Sequence, residues 1–404
     1  MVKKRIAVIG ATGSVGSSVL DVCRAHRDKL KVVALAAAKD AKKLSRLSEE
    51  FGADTLCMAD RSAIAQLPRP ALFGSGGLCE LAQAANVDHV VFASSGTAAI
   101  EALQAALKAG KEVSLANKES IVVAGMWVMP LVQGSYQLRP LDSEHNAIWQ
   151  CLHGEELSKT PPVGCTDIPL SEGAFSSERA RKTRKIYLTA SGGPFRDWSL
   201  EDMKNVTPEL ALKHPVWSMG AKVTIDSATL MNKGIEMIEA MILFGLEPSQ
   251  VEALISPGSF VHGLVEFEDG CVKMLAGEPD MRIPAASCLF WPERLPPVVN
   301  FPRPNLYGRA VTFEQVDEAR FPALRIAKEA MAKGGAYPAL LVGADEIAVD
   351  RFMKKDIQFT SIPGVVEETL GSYSGAAPRS LGEALEILEW GKKRCTVICD
   401  AKAL

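Results

Sequence analysis

The sequence has 404 residues, 47% hydrophobic and 23% charged, with 45 Lys and Arg against 48 Asp and Glu, a net charge of −3. That length accommodates roughly two to three domains, each able to bury a core, and the composition excludes a largely disordered chain. The near-neutral balance offers no basic field to nucleic acid or an anionic membrane, and no apolar run nears the ~18 residues of a membrane span.

In chain order, the basic start Met1 to Arg5 leads only to the short apolar run Ile6 to Ile9 before Gly10, too little for a secretion signal, so a cytoplasmic setting is expected. Residues 5–9 read as a buried strand. Gly10, Gly13 and Gly16 follow, then a helix whose apolar positions Val15, Val19, Val22 and Cys23 fall three to four apart. Further strands are expected at 32–36, 55–58, 90–93 and 112–116, with helices at 44–51 and 98–109. This alternation implies a parallel, doubly wound sheet. After about residue 140 the pattern changes. The polar stretch 155–184 reads as surface loop, and strands at 186–190 and 223–226 flank a long connection over 191–220, of the kind that is usually functional. A proline-rich stretch over 284–304 reads as a linker, and 314–333 and 381–392 as amphipathic helices. The nine cysteines form no C-x-x-C pair and are expected to be reduced thiols. The six histidines form no H-E-x-x-H, so a metal here would fall to carboxylates.

The motifs carry the chemistry. Gly10 to Gly16 leaves a strand and opens a helix, where glycines admit a pyrophosphate to the free N–H groups and the helix dipole. At the end of the second strand Lys39 suits a 2′-phosphate and favours NADP, although Asp40 beside it would repel that phosphate. Asp142-Ser143-Glu144-His145 can converge two hard carboxylates on Mg²⁺ or Mn²⁺, or be no more than a solvated acidic turn. Glu236 and Glu239 share a helix face in the run from Asp226 to Glu239, as a surface stripe or as the source of a further ligand. Ser191, Ser227, Asn232 and Lys233 offer hydroxyl, amide and ammonium donors suited to a phosphate monoester. Asn117-Lys118-Glu119-Ser120 follows a strand at the edge where ligands gather in doubly wound folds, and Lys118 could polarise a substrate oxygen there.

Together these motifs resemble one family, the 1-deoxy-D-xylulose 5-phosphate reductoisomerases. The resemblance spans the chain, through residues 115–120, 142–148, 189–195, 214–220, 226–236 and 277–282 as well as the glycine loop. It implies Asp142, Glu144 and Glu236 as ligands of Mg²⁺, Mn²⁺ or Co²⁺. It implies Lys118, Glu144, His145, Trp217 and Met219 as the catalytic set, the last two on a lid that closes over the substrate. Substrate contacts are implied for Lys118, Ser143, Glu144, Ser191, His214, Ser227, Asn232, Lys233 and Glu236. NADPH contacts are implied for Gly10, Thr12, Gly13, Ser14, Val15, Ala38, Lys39, Asp40, Asn117, Glu119 and Gly220. The implied reaction rearranges and reduces a phosphorylated ketose, 1-deoxy-D-xylulose 5-phosphate, to 2-C-methyl-D-erythritol 4-phosphate for isoprenoid synthesis, in a cytoplasmic homodimer that uses neither nucleic acid nor membrane. The expected fold class is α/β. A Rossmann-like NADPH domain covers 1–140, and an α+β catalytic and metal domain with its mobile lid at 191–220 covers 141–283. A linker over 284–305 leads to a helical domain over 306–404. The chain departs from the family's usual residues at Ala38, Asp40, Ser256 and 343–346. Two other readings compete: a semialdehyde dehydrogenase, which needs an activated cysteine, and a non-catalytic dinucleotide sensor, which would have no use for the carboxylates.

Overall fold

A computed structural model describes residues 2–67, 69–134, 136–153, 183–213, 217, 220–296 and 303–402. Nearly all of the expected loop at 155–184, together with His214 and Met219, lies outside the described residues. The fold divides into two compact units, one of residues 1–120, 128–179 and 280–304, the other of 121–127, 180–279 and 305–404.

In the first unit the described strands are β1 (Lys4–Ile9), β2 (Leu30–Ala37), β3 (Thr55–Met58), β4 (Leu72–Phe73), β5 (His89–Phe92), β6 (Glu112–Leu115) and β7 (Leu138–Pro140). They form one parallel sheet in the order β4-β3-β2-β1-β5-β6-β7. Its helices are α1 (Ser14–Ala25), α2 (Ala41–Phe51), α3 (Arg61–Ile64), α4 (Gly74–Gln83), α5 (Ile100–Lys108), α6 (Lys118–Val128) and α7 (Ser143–His153), residues 121–127 of α6 counting with the second unit. The strands read as continuous apolar runs because both faces are covered: Ile6, Ala7 and Val8 are fully buried. The strand order reverses between β1 and β5, which places a ligand crevice at their C-terminal ends.

The second unit holds the mixed sheet β11-β10-β8-β9, built from β8 (Thr183–Ala190), β9 (Val251–Ile255), β10 (Val261–Phe267) and β11 (Val272–Ala276). Its helices begin with α8 (Leu200–Met203), α9 (Pro208–Ala211), α10 (Ala221–Thr229) and α11 (Met231–Phe244). After α12 (Arg282–Phe290), which belongs to the first unit, come α13 (Pro322–Lys333), α14 (Tyr337–Met353), α15 (Ile362–Gly371) and α16 (Leu381–Ala401).

Four expectations change. Residues 223–226, expected as a strand, lie in α10. Their β-branched side chains suggest a strand, but Thr224 Oγ1 returns a hydrogen bond of 2.9 Å to Gly220 O, and Lys222 pairs with Asp226 one turn on at 2.6 Å. The expected linker begins as helix α12, because Ala285, Cys288 and Leu289 repeat at helical spacing and join the buried core of the first unit. Pro284 is tolerated there as part of the first turn, and burying Leu289 contributes about 2 kcal/mol. The helix expected from 314 starts only at Pro322, since Glu314 instead exchanges backbone hydrogen bonds of 2.9 Å with Ile255. The connection 191–220 is not structureless: α8 and α9 bury Met203 and Ala211, and Arg320 Nη1 donates to Arg196 O and Trp198 O at 2.7 and 3.0 Å.

Candidate active site

The glycine loop of the first unit is shaped by close approach. Gly10 has φ +88°, and a Cβ on it would lie 2.6 Å from the backbone of Ala93, at the end of β5. A Cβ on Gly16 would lie 2.2 Å from Gly10 O. Side chains at either position would push β1 and α1 apart and fill the crevice. Gly13 caps α1 with no side-chain hydrogen bond, leaving the helix start to an anion. These features fit a dinucleotide pyrophosphate. Thr12, Ser14 and Val15 lie on this loop and the first turn that follows it.

At the end of β2, Ala38, Lys39 and Asp40 are exposed. Asp40 caps α2: its Oδ1 accepts from Lys43 N at 2.9 Å. Farther along the sheet, Asn117 is wholly buried. Its Nδ2 donates to Gly96 O at 2.7 Å, and its Oδ1 accepts from Ser120 N and Oγ, each at 2.9 Å. Asn117 therefore fixes the start of α6, which carries Lys118 and Glu119, both largely buried.

Lys118 and Asp142 come together, Nζ to Oδ2 at 2.9 Å. Asp142 precedes α7, and its carbonyl accepts from Asn146 N at 2.8 Å. Ser143 and Glu144 form the first helical turn, not an extended loop, and Ser143 Oγ donates to Glu144 Oε2 at 2.5 Å. His145, on the same turn, is fully buried. A cation and two carboxylates thus stand at the C-terminal ends of β6 and β7, the edge where a doubly wound sheet presents its ligands.

The second unit carries the phosphate-type donors. Gly192 and Gly193 have φ +89° and +71°, and Gly193 N donates to Ser191 Oγ at 3.2 Å. A Cβ on Gly193 would stand 2.8 Å from Ser227 O, so the glycine lets the loop bearing Ser191 close onto the last turn of α10, where Ser227 sits. Ser227 therefore lies within a helix, not at the end of a strand. Leu230, at φ 63°, makes the turn between α10 and α11, an uncommon conformation for a branched side chain. Beyond it Asn232 Nδ2 donates to Glu236 Oε1 at 2.5 Å, and Lys233 pairs with the other oxygen of Glu236. Glu236 and Glu239 are both 1% exposed, which removes the surface-stripe reading. A buried carboxylate needs a cation or donors around it; Asp142 and Glu144 in the first unit, and Glu236 in the second, are each oxygen donors of the kind a hard divalent ion takes.

Trp217 stands with its ring centroid 6.3 Å from that of His262 on β10. Gly220 is exposed and caps α10. Sequence reasoning missed Lys43, whose Nζ reaches Thr12 O, and Lys222, which pairs with Asp345 of α14 at 2.7 Å as well as with Asp226. The spacing of Lys222 and Asp226 was a readable signal; the other contacts depend on tertiary packing.

Three described thiols of the first unit are held in their protonated form by burial. Burial pushes the Cys23, Cys57 and Cys288 thiols up to about 12. None of these three thiols is the activated cysteine that a semialdehyde dehydrogenase needs.

Comparison with known proteins covers most of the chain with three family models. Residues 6–125 match the family model 1-deoxy-D-xylulose 5-phosphate reductoisomerase, 138–244 the C-terminal domain model of that enzyme, and 276–394 a further DXP reductoisomerase C-terminal domain model. The 1-deoxy-D-xylulose 5-phosphate reductoisomerase of Chlorobium chlorochromatii is 42% identical, over 96% of this chain and 98% of its own. That of Desulforamulus reducens is 40% identical over 98% of each. Among solved structures, the reductoisomerase of Zymomonas mobilis in complex with NADPH superposes with a TM-score of 0.84 at 37% identity, covering 98% of this chain and 99% of its own. A DOX-P reductoisomerase in complex with NADPH, fosmidomycin and magnesium gives 0.84 at 34% identity, over 99% and 98%. The chain belongs to the 1-deoxy-D-xylulose 5-phosphate reductoisomerase family.

Proposed function

We propose that this chain rearranges and reduces 1-deoxy-D-xylulose 5-phosphate to 2-C-methyl-D-erythritol 4-phosphate, with NADPH and a divalent metal ion as cofactors. The observation that carries the reading is the pairing of Lys118 with Asp142 beside Glu144, at the ligand-binding edge of a sheet whose glycine loop is shaped for a dinucleotide. When bound, the ion supplies Lewis acidity to the substrate's oxygens and NADPH supplies the hydride. In this reading Asp142, Glu144 and Glu236 hold the ion. Lys118 donates to a substrate oxygen as charge develops on it, and Ser143, held against Glu144, orients a neighbouring hydroxyl. His145 is assigned to the catalytic set with them. The reaction breaks and remakes a carbon–carbon bond by retro-aldol and aldol steps, and the aldehyde so formed takes the hydride.

Ser191, Ser227, Asn232 and Lys233, with His214, bind the substrate's phosphate and hydroxyls, and the approach of the Ser191 loop to Ser227 supports this grouping. The lid is the part of 191–220 that carries Trp217 and Met219, since the stretch through α8 and α9 is anchored. Closing an indole over the substrate excludes water and protects the aldehyde. The functional parts divide as 1–140 for the dinucleotide, 141–283 for metal and substrate, and 306–404 as helical support.

The assembly proposed is a cytoplasmic homodimer working without nucleic acid or membrane. No helix among the described residues is long and apolar enough to cross a membrane. Edge strand β11 exposes Val272 and Met274, and the nearby segment exposes Leu306, Tyr307, Val311 and Phe313. Arg309 ties that segment to Glu278 at 2.9 Å. An apolar sheet edge of this kind is usually covered by another chain, and sedimentation mass checks it.

The direct test is NADPH oxidation on adding the substrate to metal-stripped protein, with Mg²⁺ or Mn²⁺ restored. Turnover should need both substrate and ion. Turnover unaffected by EDTA would sink the metal assignment, and no turnover in any condition would sink the reading.

A further inference from the structure

We propose that Lys43 is a specificity-determining residue, a second cation beside Lys39 that reads the 2′-phosphate of the dinucleotide, while Asp40 is kept from repelling that phosphate by its engagement as a helix cap. The inference rests on the dinucleotide reading above.

Lys43 lies in the first turn of α2 and is half-buried. Its Nζ donates to Thr12 O at 2.8 Å and to Ser17 Oγ at 3.2 Å. The side chain therefore crosses from the end of β2 to the glycine loop. These two segments bracket the adenosine ribose in a doubly wound fold. An ammonium carries three N–H donors, and two are used here. Among the described residues no carboxylate is paired with it, so its positive charge is available to an incoming anion.

Asp40 appears at first to oppose a 2′-phosphate. Its Oδ1 accepts from Lys43 N at 2.9 Å, however, which directs the carboxylate onto the start of α2, where the helix dipole favours negative charge. The same turn thus takes up the unfavourable charge and projects the favourable one. Lys39 faces a different neighbour. The Asp60 carboxyl is held below its usual range mainly by the Ser62 hydroxyl, and Lys39 adds to that effect. The charge of Lys39 is shared with the loop after β3, whereas Lys43 stands over Thr12.

The test compares binding of 2′,5′-ADP and 5′-AMP by calorimetry, in the wild-type protein and in Lys43→Met, Lys43→Arg, Lys39→Ala and Asp40→Asn. Lys43→Met should weaken 2′,5′-ADP about tenfold, the loss of one charge-assisted contact, and leave 5′-AMP within about twofold. Lys43→Arg should retain most of the affinity, and the NADPH KM should follow 2′,5′-ADP while kcat holds. Lys39→Ala should also favour 5′-AMP over 2′,5′-ADP, but only as a second, separate loss. Asp40→Asn should leave 2′,5′-ADP within about twofold, because an amide oxygen still caps the helix. Equal losses for both nucleotides in Lys43→Met would mean that Lys43 only braces the loop. No loss for either would remove it from the site, and either result overturns the inference. A tenfold gain in Asp40→Asn would overturn the capping argument. Wild-type protein that binds neither nucleotide would overturn the dinucleotide reading and this inference with it.

Discussion

Glu236 and Glu239 stand one helical turn apart on α11 with equal burial, yet they are assigned different work. Glu236 receives Asn232 and Lys233 on its two oxygens, an arrangement that positions a carboxylate for a cation and a substrate. Glu236→Gln should therefore lower kcat/KM by about 100-fold or more and abolish its dependence on added metal, while Glu239→Gln should cost about tenfold or less. Steady-state kinetics across a Mn²⁺ titration checks this, and equal losses would contradict the ligand assignment. Single residues were the most legible level of the sequence where a motif had one chemical use: the glycines follow β1 and the Asp-Ser-Glu segment follows β7, at the edge where a doubly wound sheet takes its ligands. Lys43 was not legible. Its meaning lies in Thr12 O, a backbone atom far from it along the chain, and no side-chain pattern announces such a partner.

At the scale of elements, helix packing around α11 sets a second test. Gly234 lies in that helix, and a Cβ there would stand 2.3 Å from Ala327 Cβ on α13. Gly364, exposed in α15, would meet nothing within 4 Å. Gly234→Ala should destabilise the protein by about 1–3 kcal/mol through overpacking, and Gly364→Ala should stabilise it by about 0.5–1 kcal/mol through helix propensity. Urea midpoints would separate the two, and a stabilising Gly234→Ala would contradict the close α11–α13 contact. The elements of the parallel sheet were legible because buried strands are short, apolar and β-branched. Helix α4 was missed because Gly74, Gly76 and Gly77 at its start resemble a loop. Residues 223–226 were misread because β-branched composition was weighed above the i, i+4 pair Lys222 and Asp226. The start of α12 was hidden by the prolines around it, although its apolar spacing was present.

For the whole molecule, family membership gives an NADPH- and metal-dependent reductoisomerase, and the function proposed above puts the dinucleotide on the parallel sheet and the phosphorylated substrate on the donors of the second unit. In that reading a net charge of −3 needs no basic surface, because local groups such as Lys118, Lys233 and Lys43 would meet the anions one at a time. Overall architecture was legible from the order of motifs. The extent of each unit was not, since α12 and residues 121–127 join units to which their place in the chain does not assign them. Rearrangement and reduction are proposed to occur within one turnover. Running the reaction with NADPH deuterated at its transferred position, and identifying the product by NMR, puts this to the test. The expected product is branched 2-C-methyl-D-erythritol 4-phosphate with one deuterium per molecule, on the carbon that was the aldehyde. A straight-chain polyol phosphate labelled at the original ketone carbon would show simple reduction without rearrangement and would contradict it.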